Sequence, residues 1–258
     1  MHGLLLRLRW IKRSNNKALL FRIILRLTPL FAVEPLLSLF LKINFLNKEV
    51  LMYERVGKIS ERNRKNGVAA IIRAYPQNNP LLMAVRSIIA HVDQVVLVFN
   101  GEKNVDFDKL LADQLAFQPQ LADKIKIDVY LNRIQKTGDD YYQSVYEDPD
   151  LSIARFYNFA FSLSDFETVV KWDDDMIPCN HKKAFRTPCR LVKAISYDGY
   201  DATGRTTTSM EPRIFKLRKN VKYFDSDFCE RINLGLGIKW KYFKKVYVHL
   251  KLLRSGLV

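Results

Sequence analysis

Long apolar runs, glycine-rich phosphate loops and paired cysteines are all missing from this 258-residue chain. Each absence closes a class of function. The three cysteines (Cys179, Cys189, Cys229) are odd in number and form no Cys-x-x-Cys pair. They suit reduced thiols in a cytosolic compartment better than a disulfide framework. Neither Gly-x-Gly-x-x-Gly nor a P-loop pattern follows any strand-like segment, which removes the dinucleotide and Walker signatures. A membrane-spanning helix wants roughly 20 uninterrupted apolar residues. The apolar stretch 17–47 is instead broken by Lys17, Arg22, Arg26, Glu34 and Lys42, and by Pro29 and Pro35. No secretory signal is read either, because Arg7, Arg9, Lys12 and Arg13 follow the short apolar start rather than precede it.

What is present is a core and an uneven charge. Hydrophobic residues make up 48% of the chain and aromatics 12%, enough to build a packed domain rather than a disordered one. The net charge of +15 is concentrated early: residues 1–66 carry 14 Lys and Arg against 4 Asp and Glu, residues 67–258 carry 28 against 23. Leu19, Leu20, Ile23, Ile24 and Leu27 recur at helical spacing with Arg22 and Arg26 on another face. That pattern suits an amphipathic helix lying on an anionic membrane surface. An ordinary basic helix packed on protein is the plain alternative. The chain therefore divides into a basic amphipathic helical segment, 1–66, and a folded domain, 67–258. Nucleic acid is not an expected partner, since recognition wants Lys and Arg spread over a folded face.

From Gly67 onward, strand and helix patterns alternate. Val68–Arg73, Val95–Phe99, Ile125–Leu131 and Thr168–Trp172 read as strands. Pro80–Val92, Phe107–Leu115 and Ser152–Leu163 read as helices. Such alternation predicts an α/β fold with a mostly parallel mixed sheet and helices on both faces. Ligands of such sheets bind beyond the C-terminal strand ends. The loops at Tyr75, Asn100 and Asp173 all fall there. Residues 139–150, acidic and aromatic, read as a solvated loop.

Asp173-Asp174-Asp175 directly follows the apolar strand Thr168–Trp172. Adjacent carboxylates repel unless a cation intervenes. In an extended stretch Asp173 and Asp175 point to one side. With phosphate oxygens from a substrate they make a hard-cation site for Mn²⁺ or Mg²⁺. A solvated acidic turn or a helix cap is the alternative.

In this context the sequence resembles the inverting GT-A glycosyltransferases of the large family-two group. Val68-Ala69-Ala70-Ile71-Ile72-Arg73-Ala74-Tyr75 is similar to the family's first strand and nucleotide loop. Ala154-Arg155-Phe156-Tyr157-Asn158 is similar to its Ala-Arg-Asn helix, and Asp173 follows Asn158 by 15 residues. Phe224-Asp225-Ser226-Asp227-Phe228-Cys229-Glu230-Arg231 resembles its Glu-Asp-x-Asp-Leu-x-x-Arg segment, and Val246-Tyr247-Val248-His249 its closing strand. Tyr157 stands where the family has Arg, and Asn100 where it usually has a base-recognising acid.

The resemblance implies a GT-A, Rossmann-like fold and transfer of a sugar from a nucleotide-sugar, with a UDP-sugar first in order. The acceptor is a glycan or a lipid-linked molecule, as in cell-surface polysaccharide or lipopolysaccharide biosynthesis. Arg73, Ala74, Tyr75, Asn100, Asn158, Asp173 and Asp174 would bind the donor, and Asp173, Asp175 and His249 the metal. Asp225 would be the general base, with Asp227 the alternative and Glu211 more distant. A helix N-terminus is the plain alternative for Asp225–Asp227. A sugar-phosphate nucleotidyltransferase is a second enzymatic reading, although Ala74-Tyr75-Pro76-Gln77-Asn78 has neither Gly nor Lys to hold a triphosphate. A basic membrane-surface or nucleic-acid-binding protein is the non-enzymatic one.

The expected place is the cytoplasm, at the inner face of the cytoplasmic membrane. Residues 1–50 should hold the chain to anionic vesicles without crossing them. High salt or alkaline carbonate should then release it, as read by flotation. Resistance to both washes would point to a true span.

Overall fold

The computed structural model describes residues 56–75, 80–101, 119–135, 137–186, 194–201, 205–207, 212–218, 220–227, 229–234 and 240–250. The amphipathic segment through residue 55, the expected helix Phe107–Leu115 and Glu211 lie outside the described residues. Four parallel strands form the first half of the sheet: β1 (Lys65–Ala74), β2 (Gln94–Asn100), β3 (Ile125–Tyr130) and β4 (Phe166–Asp173). Their spatial order is β3-β2-β1-β4. The sheet continues through β8 (Ile214–Lys216), β6 (Ala194–Asp201), β11 (Trp240–His249) and β5 (Met176–Pro178), with β7 (Thr206–Thr207) on β6. Most paired residues lie in parallel ladders, while β8, β7 and β5 add antiparallel ones. The chain is thus α/β with a mostly parallel mixed sheet.

Period-two alternation decides which face each strand residue serves. Ala70, Ile72 and Ala74 of β1 share one core with Val95, Leu97 and Phe99 of β2 and Val170 and Trp172 of β4. Over that core lies α1 (Leu81–Ile89), whose Leu81, Val85, Ile88 and Ile89 are buried. The other face carries Arg73 and Lys171. There α3 (Ile153–Ser162) brings Tyr157 within 5.8 Å of the Arg73 guanidinium and 4.2 Å of Lys171 Nζ. Helices accordingly cover both faces. Among the described residues no helix is long and apolar enough to cross a membrane.

Several expectations change here. Residues 139–150 are not a loop, because α2 (Tyr141–Glu147) forms within them and buries Tyr141 and Val145. Asp225–Asp227 start no helix. Asp225 ends β9 (Lys222–Asp225), which pairs antiparallel with β10 (Glu230–Asn233) in a separate two-stranded hairpin. Ser226 closes the turn, its N and Oγ both donating to the Cys229 carbonyl.

Gly67 sits at the register shift between Lys65 and Val68, with φ +150°. A Cβ there would lie 2.4 Å from Phe166 Cδ1 and 2.6 Å from Asp93 Oδ2, so only glycine lets β1 approach so closely.

Asn158 was expected at the donor. Instead it is 2% exposed and wholly engaged with the backbone. Its Nδ2 donates to Val56 O (3.1 Å) and Tyr223 O (2.9 Å), and its Oδ1 accepts from Tyr223 N at 2.7 Å. A short carboxamide on the inward face of α3 is the right size to clamp two backbone segments, and both its nitrogen and its oxygen are engaged in that clamp. Asn158→Ala strands buried partners and should cost about 2–4 kcal/mol of stability. Urea unfolding measures it, and a loss under about 0.5 kcal/mol would contradict the clamp.

Candidate metal centre

In the order β3-β2-β1-β4 the chain leaves β1 toward β2 and leaves β4 toward the other side, so the switch point of the sheet, where α/β folds bind ligands, lies at the C-terminal ends of β1 and β4. Register places Arg73 of β1 beside Asp173 of β4 at that edge. The chain then turns through Asp174 and Asp175 into β5. Asp173 and Asp175 meet through this tight turn, not the extended stretch that the sequence suggested, because Met176–Pro178 must leave β4 to pair with β11. The same pairing sets His249 opposite Met176, and Leu250 N donates to Asp175 O at 2.7 Å. His249 Nε2 therefore lies 2.8 Å from Asp175 Oδ1 and 4.0 Å from Asp173 Oδ2. Ligand atoms of Asp173, Asp175 and His249 fall within 4.8 Å of one another.

Charge at this edge is balanced by residues that the sequence did not single out. Arg213 precedes β8, whose antiparallel pairing with β4 carries Arg213 past Lys171. Lys171 N donates to Arg213 O at 2.7 Å, and Arg213 Nη2 reaches Asp173 Oδ2 at 2.9 Å. Burial pushes the Asp173 carboxyl up, but the charge and hydrogen bond of Arg213, helped by Lys171 and His249, hold it well below the usual carboxylate range. Asp173 is thus ionised, as a metal ligand must be.

Lys171 forms a 2.6 Å ion pair with Glu230 and lies over the rings of Tyr157 and Tyr223. Burial opposes its charge, and Glu230 with those two rings outweighs the burial. A lysine between Val170 and Trp172 in an apolar strand was the available signal for this pair. Arg213 had none, since its position depends on a register between distant strands.

The other expected residues divide. Tyr75 stands at the exit of β1, its ring 5.3 Å from the Arg73 guanidinium. Asn100 ends β2, and its Nδ2 donates to Asn132 O at 2.8 Å. Ala74 is fully buried in the core, which leaves only its backbone to meet a donor. Asp174 is 1% exposed within the turn.

Asp225, the expected base, is also 1% exposed. It accepts from Tyr141 Oη, from Ser152 Oγ at 2.6 Å and from Ala154 N at 3.3 Å. Burial raises its pKa, against the lowering effect of those hydrogen bonds. Ser152 also caps α3, accepting from Arg155 N. Asp225 therefore ties the hairpin to α2 and to the N-terminus of α3, a place where a carboxylate is favoured. Asp227 lies exposed in the turn that follows.

The chain matches no protein-family model and no curated protein.

Two carboxylates and one imidazole suit Mn²⁺, and Mg²⁺ with more retained water. A cation held by these three side chains alone would have coordination positions left over. Because the folded pKa of Asp173 lies below its unfolded value, it adds stability above about pH 3.9, which is lost as pH falls toward the folded pKa. The stability gap between wild type and Asp173→Asn should therefore be widest at about pH 6, smaller by about pH 3, and should close only as pH falls on toward the folded pKa. Urea titrations at both pH values test this, and a constant gap would contradict it.

Proposed function

We propose that this protein is a metal-dependent glycosyltransferase of GT-A type, moving a sugar from a nucleotide-sugar to a glycan or lipid-linked acceptor with inversion. One observation carries the reading: Asp173, Asp175 and His249 bring ligand atoms within 4.8 Å of one another at the strand-end switch point, the position at which α/β sheets bind ligands. These three residues would hold Mn²⁺ or Mg²⁺, which when bound neutralises charge on a leaving nucleoside diphosphate. Tyr75 and Asn100, at the exits of β1 and β2, would meet the nucleoside. A UDP-sugar is the first donor to try.

Direct displacement at the anomeric carbon needs a carboxylate that takes the acceptor proton as the new bond forms. Asp225 fits this poorly, since its oxygens already accept from Tyr141, Ser152 and Ala154. Asp227 stands open to solvent in the same turn, and the neighbouring Glu230 is tied to Lys171 of β4, two residues before Asp173. Asp227 is therefore the base, and Asp225 positions the turn. A lipid-linked acceptor would accord with a basic, apolar segment at residues 1–50 resting on the cytoplasmic membrane face, within polysaccharide or lipopolysaccharide assembly.

The first test is a panel of nucleotide-sugars with Mn²⁺. Asp175→Ala should lose cation-dependent donor binding while staying folded, and equal affinity in both proteins would sink the reading. Asp227→Asn should keep donor binding and lose about 10²-fold or more of transfer. Asp225→Asn should chiefly lower stability. A product that retains the donor's anomeric configuration would remove the single displacement.

A further inference from the structure

The oxygen of Asp173 nearest the His249 imidazole is already engaged. Asp173 Oδ2 lies 4.0 Å from His249 Nε2 and only 2.9 Å from Arg213 Nη2. Arg213 is no swinging surface residue. It is 6% exposed, its carbonyl accepts from Lys171 N at 2.7 Å, and its Nη1 lies 3.4 Å from Lys171 O and 3.7 Å from Met176 Sδ. The guanidinium also lies 6.0 Å from the Tyr247 ring, on the strand that carries His249. Backbone pairing on β4 and packing against β5 and β11 therefore hold a permanent positive charge against one of the metal ligands.

We propose that Arg213 is a built-in counter-cation for Asp173 that keeps the metal site weak until a diphosphate arrives, so that cation and diphosphate load together. This rests on the metal-site reading above. A divalent ion bound to Asp173 shares a carboxylate with a guanidinium, and the two positive centres repel in a partly desolvated place. Asp173 and Asp175 supply two negative charges; Arg73 stands beside Asp173 in register, and Arg213 returns a positive charge at the Asp173 oxygen itself. Lys171, also near Asp173, is balanced by Glu230 and adds no free negative charge to attract the ion. A diphosphate changes the sign of the balance. Its oxygens fill the open metal positions, as is usual for hard cations on one or two carboxylates. The same anion is the natural partner of a guanidinium fork. Each ligand then strengthens the other by one common factor. Arg213 is thus a positioning residue acting through Asp173. Without it the site would bind the bare ion more tightly and gain less from the diphosphate.

The test uses the full chain, Mn²⁺ as the metal and inorganic pyrophosphate as the diphosphate, with protein-bound Mn²⁺ read by electron paramagnetic resonance. Wild type should hold Mn²⁺ weakly alone, and pyrophosphate should raise retention by about tenfold or more. Pyrophosphate in solution competes for Mn²⁺, so a rise reports a ternary complex on the protein. Arg213→Met should tighten Mn²⁺ alone by about tenfold and shrink the pyrophosphate effect, whereas Arg213→Lys, which keeps the charge, should stay within about threefold of wild type. Unchanged Mn²⁺ affinity in Arg213→Met, or equal tightening in Arg213→Lys, overturns the proposal. Wild-type retention that is equal with and without pyrophosphate also overturns it, even if Arg213→Met does not fold. No Mn²⁺ retention under any condition removes the metal-site reading itself, and this proposal with it.

Discussion

A carboxylate at the end of a buried strand has to be neutralised, and much of this molecule is arranged around that need. Asp173 closes β4, whose Val169, Val170 and Trp172 are all buried. An isolated charge there would be costly, and its partners must come from elsewhere in the chain. Arg213 arrives just ahead of the strand that pairs with β4 on one side, and His249 on the strand that pairs with β5. On the same face Lys171 is matched by Glu230 from the hairpin. The same pairings that satisfy these charges assemble the candidate metal centre.

A second buried carboxylate does the corresponding work behind the site. Asp225 draws a hydroxyl from α2, a hydroxyl from the cap of α3 and a backbone amide of α3 onto the end of β9. Asn158 adds the clamp between α3 and Tyr223. With both anchors in place the hairpin turn that bears Asp227 is set on buried, hydrogen-bonded elements. The two most acidic motifs of the sequence thus serve different ends. One sits at the strand-end edge beside His249 and Arg213, and the other locks a turn from beneath.

Much of the fold was legible because it depends on local periodicity. The apolar run at Val95–Phe99 and the helical spacing of Leu81, Val85, Ile88 and Ile89 could form little else, and each appears close to its expected bounds. The acidic stretch at 139–150 misled, because charged flanks hid Tyr141 and Val145, whose burial makes α2. Asn158 misled differently. Its position matched a motif, but whether an amide faces a ligand or the backbone depends on what packs over the helix, here Val56 and Tyr223.

The sequence by itself determined the four parallel strands, the helices α1 and α3, and the strand-end location of Asp173. These follow from residue type and from spacings of two and three to four, which act over a few neighbours. Only the tertiary structure decided that Asp175 and His249 meet Asp173 through a turn and an antiparallel strand, that Arg213 occupies the oxygen facing them, and that Asp225 is sealed while Asp227 is open. Each of these rests on pairing between segments far apart in the chain. Such register is set by the burial of whole faces and the neutralisation of buried charge, which no short window of sequence contains.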